Sequence, residues 1–157
     1  MKDDSSCCSS TVVTVLACSG GSNVGQITNE AAKRLHQEKA GKFSCLAGIG
    51  GHVSAMLASV EGSDKVLVLD GCPVGCAAHA MARVGLDNYY YVVVTDLGIE
   101  KKHNFELPPE EIDRVLLMCR KKLNGPSTSR EDSYETQLVE SPGSGGSCCC
   151  SSDGGCS

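Results

Sequence analysis

The stretch KVLVLDGCPVGCAAHAMARVG, Lys65–Gly85, decides the fold because it joins a buried strand directly to a helix. The run KVLVLD is almost wholly apolar, which is typical of a strand that is covered on both faces of a parallel sheet. Two cysteines follow at once, Cys72 and Cys76. The alanine-rich run from about Val74 to Arg83 predicts a helix that packs closely on that sheet and ends at Gly85.

The same alternation of strand and helix continues on both sides of this stretch. Further elements are predicted as strands over Thr11–Ala17 and Asn88–Asp96, and as helices over about Gly25–Lys39, over 46–60 and from Pro108 or Pro109. Continuous apolar strands that alternate with helices predict an α/β fold of three layers. Its small sheet is mostly parallel and carries helices on both faces.

Four cysteines lie where a strand ends or a helix begins: Cys18, Cys45, Cys72 and Cys76. Cys18 and Cys72 follow two strands, and Cys76 falls in the first turn of a helix. Cys45 reaches the same edge if the run Lys42–Cys45 forms a short strand parallel to the others, between two helices that run in the opposite direction. All four thiols are then expected at the carboxyl edge of the sheet, where ligands of open α/β sheets bind.

Thiols at one edge favour a metal site. Tetrahedral zinc takes four thiolates, and a cubane iron–sulfur cluster takes the same ligands. His79, His52 and Asp70 are additional candidate ligands, and His79 is also a candidate base for Cys76. A helix amino terminus predicts a lowered pKa for the Cys76 thiol. Cys119 lies on the apolar face of the last helix and is predicted to pack in the core.

The loop CSGGSNVG, Cys18–Gly25, resembles an anion cradle in which Ser22 or Asn23 caps the following helix. No Gly-Lys-Ser/Thr motif follows, so the loop is not a nucleotide P-loop. No arginine closes it either, which argues against a cysteine phosphatase. Lys101, Lys102 and His103 are interpreted as solvated.

The ends of the chain differ from its middle. Residues 1–10 and 124–157 lack apolar periodicity and are predicted to be disordered arms around an α/β domain over 11–123. The second arm is rich in Gly, Ser and Cys and has a net charge of −4, out of −5 for the chain. Six of the eleven cysteines lie in the arms: Cys7, Cys8, Cys148, Cys149, Cys150 and Cys156.

Composition excludes several classes of protein. The negative net charge and the lack of a basic stripe argue against nucleic-acid binding. No run approaches the ~20 apolar residues of a membrane span, and the start lacks the features of a secretory signal. We therefore expect a cytoplasmic protein whose thiols are kept reduced.

Four motifs together resemble the DGC-domain family: CSGG-x3-G-x-x-T from Cys18, CLAGIGG from Cys45, DGCPVGCA from Asp70, and VVVTDLGI-x-K ending at Lys101. The resemblance covers about Val13 to Leu123, and the family's four cysteines match the four above. It implies a small metal-binding protein with zinc as the first metal, while the chemistry of the thiol ligands keeps an iron–sulfur cluster as the alternative.

Two other functions stay open. One is a thiol or iron–sulfur enzyme that acts on sulfur or a soft oxyanion. The other is a protein that binds or delivers arsenic(III) or mercury(II) through its cysteine-rich arms, because thiolates are soft ligands.

Overall fold

The computed structural model describes residues 11–125. The predicted arms lie outside these residues, apart from Asn124 and Gly125, and their disorder stays a prediction. The described part contains the whole predicted α/β domain.

Four parallel strands form one sheet in the order β2-β1-β3-β4. They are β1 (Val13–Ala17), β2 (Lys42–Phe43), β3 (Lys65–Asp70) and β4 (Tyr90–Val93). The central pair runs from Val13 opposite Lys65 to Ala17 opposite Leu69. Because β2 is also parallel to β1, the run before Cys45 does climb to the carboxyl edge.

Helices cover both faces of this sheet. They are α1 (Asn23–Gln37), α2 (Leu46–Gly50), α3 (Ser54–Glu61), α4 (Cys76–Arg83) and α5 (Pro109–Asn124). Leu67 and Leu69 of β3 pack with α1 and α5, whereas Val66 and Val68 pack with α2, α3 and α4. This alternation is the period of two that a strand imposes on its side chains. The predicted three-layer α/β fold is confirmed.

The predicted single helix over 46–60 is wrong. It is split into α2 and α3 by a turn in which His52 has a positive φ of 56°. The sequence there, Gly48-Ile-Gly-Gly-His52, contains three glycines, each of which costs about 1 kcal/mol relative to alanine inside a helix. Low local propensity therefore outweighs the apolar periodicity.

Three other boundaries differ from the prediction. β4 ends at Val93, and a 3-10 turn over Thr95–Leu97 replaces its predicted last residues. α1 begins two residues earlier than predicted and ends at Gln37. α4 begins at Cys76 because Gly75 before it is left-handed, with φ 64°. Within residues 11–125, no helix is both long and apolar enough to cross a membrane.

Candidate thiol site

Close backbone packing builds the carboxyl edge of the sheet. Gly71, directly after β3, lies against the first turn of α1, so that a Cβ on it would be 2.8 Å from the Gly25 nitrogen. A Cβ on Gly25 would be 2.6 Å from the Gly20 carbonyl oxygen. Both positions therefore require glycine, and the two loops that carry Cys18 and Cys72 lie together.

The β1–α1 loop is also held by its own side chains. Ser22 caps α1 by accepting a hydrogen bond from the Gly25 N–H at 3.3 Å, as one of the two predicted caps. The buried Thr28 hydroxyl donates to the Gly25 carbonyl at 2.6 Å and lies 3.6 Å from the Cys18 sulfur. Cys18 thus rests against a fixed hydroxyl.

Three of the four predicted cysteines line one cavity of about 140 Å³: Cys18, Cys72 and Cys76. They come from the ends of β1 and β3 and from the start of α4. The Cys18 sulfur accepts a hydrogen bond from the Gly71 N–H at 3.3 Å. The side chains of Lys101 and His103 also line this cavity, and the Lys101 ammonium lies 3.5 Å from the Cys72 sulfur. The cavity therefore combines three thiols with an ammonium group and an imidazole.

Asn23 holds the segment that carries Lys101. The residue is 4% exposed, and its side chain donates to the Glu100 carbonyl at 2.9 Å and accepts from the Lys102 N–H at 2.6 Å. The Asn23 N–H also donates to the Lys102 carbonyl at 2.9 Å. These three bonds tie residues 100–102 to the start of α1, which places Lys101 over the thiols.

Asp70, a further candidate ligand, lines the thiol cavity, and its carboxylate caps α4. Its carboxylate, 1% exposed, accepts from the N–H groups of Ala77 at 2.9 Å and Ala78 at 3.0 Å, and from the Tyr91 hydroxyl at 3.0 Å. The carboxylate therefore neutralises the positive end of the helix, where a negative charge is favoured. Burial and the neighbouring Asp70 charge raise the pKa of Tyr91, which stays a hydrogen-bond donor.

The prediction of a lowered pKa for Cys76 is wrong. Its pKa is raised, first by partial desolvation of the thiol and then by the negative charges of Asp70, Cys18 and Cys72. A backbone hydrogen bond opposes this shift without reversing it. The helix terminus that was expected to stabilise the thiolate is already occupied by Asp70.

Cys45 lies in a second, larger space. A cleft of about 780 Å³ opens beside the thiol cavity, with Cys45 and Cys18 among its lining residues. Cys45 is exposed and stands just before α2. Cys18 lines both spaces and is the residue that they share.

The remaining candidates lie away from the cavity. His79 and His52 are exposed and do not belong to the lining of either space. Cys119 is fully buried in the core between α1 and α5, as predicted, and burial raises its pKa to about 12. Among residues 11–125, no three His, Cys, Asp or Glu side chains are gathered closely enough to hold a metal ion. The four-cysteine metal site therefore stays a prediction.

Comparison with known proteins identifies the family. The model of the DGC domain matches residues 14–119. This chain belongs to the DGC domain family. A protein of Pseudomonas aeruginosa, strain PAO1, named "Anaerobic and virulence modulator AnvM", is 30% identical over 109 residues, which cover 69% of this chain and 83% of that protein. No solved structure matches the chain.

The sequence interpretation missed two residues of this DGC domain site, Lys101 and His103. Both were treated as solvated, and both are exposed, yet they line the thiol cavity. The His103 ring lies 3.3 Å from the Gly21 carbonyl. The available signal was the motif that ends at Lys101, because a polar residue that recurs in a family motif outside the core indicates a site.

Proposed function

We propose that this DGC domain binds a soft divalent metal ion, zinc first, through Cys18, Cys72 and Cys76. One observation supports the proposal: three thiols, one from the β1–α1 loop and two from the β3–α4 connection, line one cavity. Among residues 11–125 they are not yet close enough together to hold an ion, so metal binding requires their side chains to move closer. Loops at the carboxyl edge of an α/β sheet usually hold ligands. A reducing compartment, the cytoplasm, completes the proposal because free thiols persist there.

The chemistry of the donor set supports zinc. Thiolates are soft, and zinc sites with three or four of them are common. The Gly71 N–H that already meets the Cys18 sulfur is the kind of outer partner that orients a metal ligand. Lys101 would leave Cys72 when the metal binds, and its charge would offset part of the excess negative charge of three thiolates around one divalent ion.

Whether Cys45 also binds the metal decides between a site with three thiolates and a site with four. Its backbone lies at the same edge, but its side chain lines the neighbouring cleft. With three protein ligands, the fourth position of zinc stays open, as in catalytic zinc sites. With four, the site is closed and structural. The Cys45→Ser variant distinguishes the two because it removes metal only from the closed site.

The test uses the full-length chain with the six cysteines outside residues 11–125 replaced by serine. Anaerobic purification and elemental analysis are expected to show about one zinc per chain. Cys18→Ser, Cys72→Ser and Cys76→Ser should each lower zinc affinity by more than the ~10–100-fold cost of losing an outer-shell partner. Cys119→Ala is the matched control and should retain zinc, because Cys119 lies in the core. Equal zinc content in all four variants would refute the proposal. A brown protein that contains iron would show that the site holds an iron–sulfur cluster and not zinc.

A second function is favoured by the contact between Lys101 and Cys72. The Lys101 ammonium group, 3.5 Å from the Cys72 sulfur, is placed to pair with an anion that approaches this thiol. This arrangement suits a thiol enzyme that acts on sulfur or a soft oxyanion. The Cys72 thiolate would attack the outer sulfur of an anion such as thiosulfate, forming a persulfide and releasing sulfite.

Metal-depleted protein incubated with thiosulfate tests this alternative. Mass spectrometry should show one added sulfur on Cys72 and an equal amount of sulfite in solution. Lys101→Met should slow the reaction, whereas Lys102→Met, its neighbour with no contact to the thiol described, should not. Absence of sulfur transfer in the metal-free protein would refute this second function, and the metal-binding proposal would stand on its own test.

A further inference from the structure

The larger cleft beside the thiol cavity is an uncharged space with an exposed thiol at its rim. None of its ten lining residues is charged, and many are small, including Ala47, Gly50 and Ala80. Its volume of about 780 Å³ lies in the range of ligand sites. Cysteine is among the most buried residue types, so an exposed Cys45 at such a rim calls for a partner.

The chain itself contains a segment of matching character. Residues 141–152, SPGSGGSCCCSS, are twelve uncharged residues with small side chains, whereas acidic residues lie on both sides at Glu140 and Asp153. Three adjacent thiols stand near the end of this segment. Adjacent cysteines are poor disulfide partners for each other because the required geometry is strained, so they are available as metal ligands.

Chain length allows this segment to reach the cleft. α5 carries the chain from the carboxyl edge back to the amino edge, and its 16 residues span ~24 Å. The 22 residues between Gly125 and Cys148 have a root-mean-square reach of ~23–28 Å if they behave as a coil. A linker is most effective when this reach matches the distance it must span.

The N-terminal thiols cannot reach the cleft. Thr11 and Cys18, which lines the cleft, are separated by seven residues of extended chain, or ~23 Å. Cys7 is only four residues before Thr11, so its greatest reach is ~14 Å, and Cys8 reaches less. Of the two thiol-bearing arms, only the C-terminal one can fold back to its own cleft.

We propose that the cleft binds the chain's own segment 141–152, and that Cys148–Cys150 pass a thiolate-bound metal ion to Cys45. The delivery half of this proposal rests on the metal-binding function proposed above. The transfer is ligand exchange: the bonds between the metal and the three tail sulfurs are replaced one at a time, the first by a bond to Cys45 and the others by bonds to Cys18 and the remaining thiols of the body site. Protons of the incoming thiols go to the departing tail thiolates, and no electrons are exchanged.

Docking is tested without metal, in two full-length chains. Each retains Cys149 and the buried Cys119, together with either Cys45 or Cys76, and serine replaces every other cysteine. Cys45 and Cys76 are both exposed at the carboxyl edge, so an undocked tail would reach them equally. With a short bis-alkylating reagent, docking should link Cys149 to Cys45 at least about tenfold faster than to Cys76, as a raised effective concentration requires.

Two tryptophan variants make the docking test specific. Ala47→Trp fills the cleft and should remove the preference for Cys45, whereas Ala55→Trp, also exposed, on α3 and outside the cleft lining, should not. Equal rates at Cys45 and Cys76, or a preference that survives Ala47→Trp, would overturn the proposal. A linked product that is dimeric and depends on protein concentration would also overturn it, because the occupant would then be a second copy.

Delivery is tested by the rate of zinc loading from a chelated donor. Replacing Cys148–Cys150 by serine should slow loading at least about tenfold, as loss of an intramolecular donor implies. The affinity of the body site should not change. Replacing Cys7 and Cys8 is the matched control and should leave the rate unchanged. Unchanged loading would refute delivery, while failure of the body to bind zinc at all would refute the metal function and leave the cross-linking result to decide docking.

Discussion

Gly71 offers the sharpest test of how the thiol site is built. In Gly71→Ala, the new Cβ would lie 2.8 Å from the Gly25 nitrogen, 2.8 Å from the Val24 carbonyl carbon and 3.1 Å from the Gly25 Cα. All three atoms belong to the backbone at the start of α1, so no side chain can rotate away. The strand end and the helix must move apart, which also stretches the hydrogen bond from the Gly71 N–H to the Cys18 sulfur.

The expected cost follows from this overlap. Inserting one methyl group into a packed site typically costs ~1–3 kcal/mol, and a contact between two backbones belongs in the upper half of that range. We expect the free energy of unfolding to fall by ~2–3 kcal/mol. With an m-value of ~1.5–2 kcal/mol/M, the urea midpoint should fall by ~1–2 M.

The matched control is Gly21→Ala in the same β1–α1 loop. No atom lies within 4 Å of a Cβ built there, and Gly21 has no positive φ. Alanine at such a position is neutral or stabilises by up to ~1 kcal/mol, because it restricts the unfolded chain. Gly25→Ala meets a different contact, the Gly20 backbone at 2.6 Å, but Gly25 also lies against Gly71, so its effect should not add fully to that of Gly71→Ala. Free energies of unfolding for Gly71→Ala and Gly21→Ala that agree within ~0.5 kcal/mol would refute the packing argument.

Three further outcomes are expected. Asn23→Ala removes two hydrogen bonds to residues 100–102 and should destabilise the protein by ~1–3 kcal/mol. The rate of Cys72 alkylation should also change, which Asn29→Ala, at a half-buried position of α1 that bonds to Ser19 and not to residues 100–102, should not reproduce. Asp70→Asn leaves part of the set of three donors without an acceptor and should cost ~1–3 kcal/mol, against almost nothing for the exposed Asp96→Asn; equal unfolding midpoints would contradict the capping role. The buried Cys119 has a pKa raised from 9.0 to about 12, so the unfolded chain loses this proton first and stability should fall as pH rises from 9 toward 12; a pH–stability curve measured on Cys119→Ala should lack that part of the decline.

Local patterns were sufficient for the architecture. A buried parallel strand is a continuous apolar run and a surface helix has a period near 3.6, so KVLVLD and the stripe of α5 could be interpreted without any contact information. Connectivity then required Lys42–Cys45 to run parallel to its neighbour, and β2 does so. The prediction of one helix over 46–60 failed because apolar periodicity and low helix propensity compete there. The glycines between Gly48 and His52 divide the periodic stretch into two helices.

The sequence by itself therefore determined that Cys18, Cys45 and Cys72 follow strands and reach one edge of the sheet. Only the tertiary structure decided which thiols share a cavity and what surrounds them. The hydrogen bond from the Asn23 side chain to the Glu100 carbonyl joins residues that are 77 positions apart, and it brings Lys101 to Cys72. Desolvation of the Cys76 thiol, together with the charge of Asp70 at the first turn of α4, reverses the expected shift of the Cys76 pKa. Such contacts depend on side chains that meet across loops, and no periodicity or spacing along the chain encodes their distances.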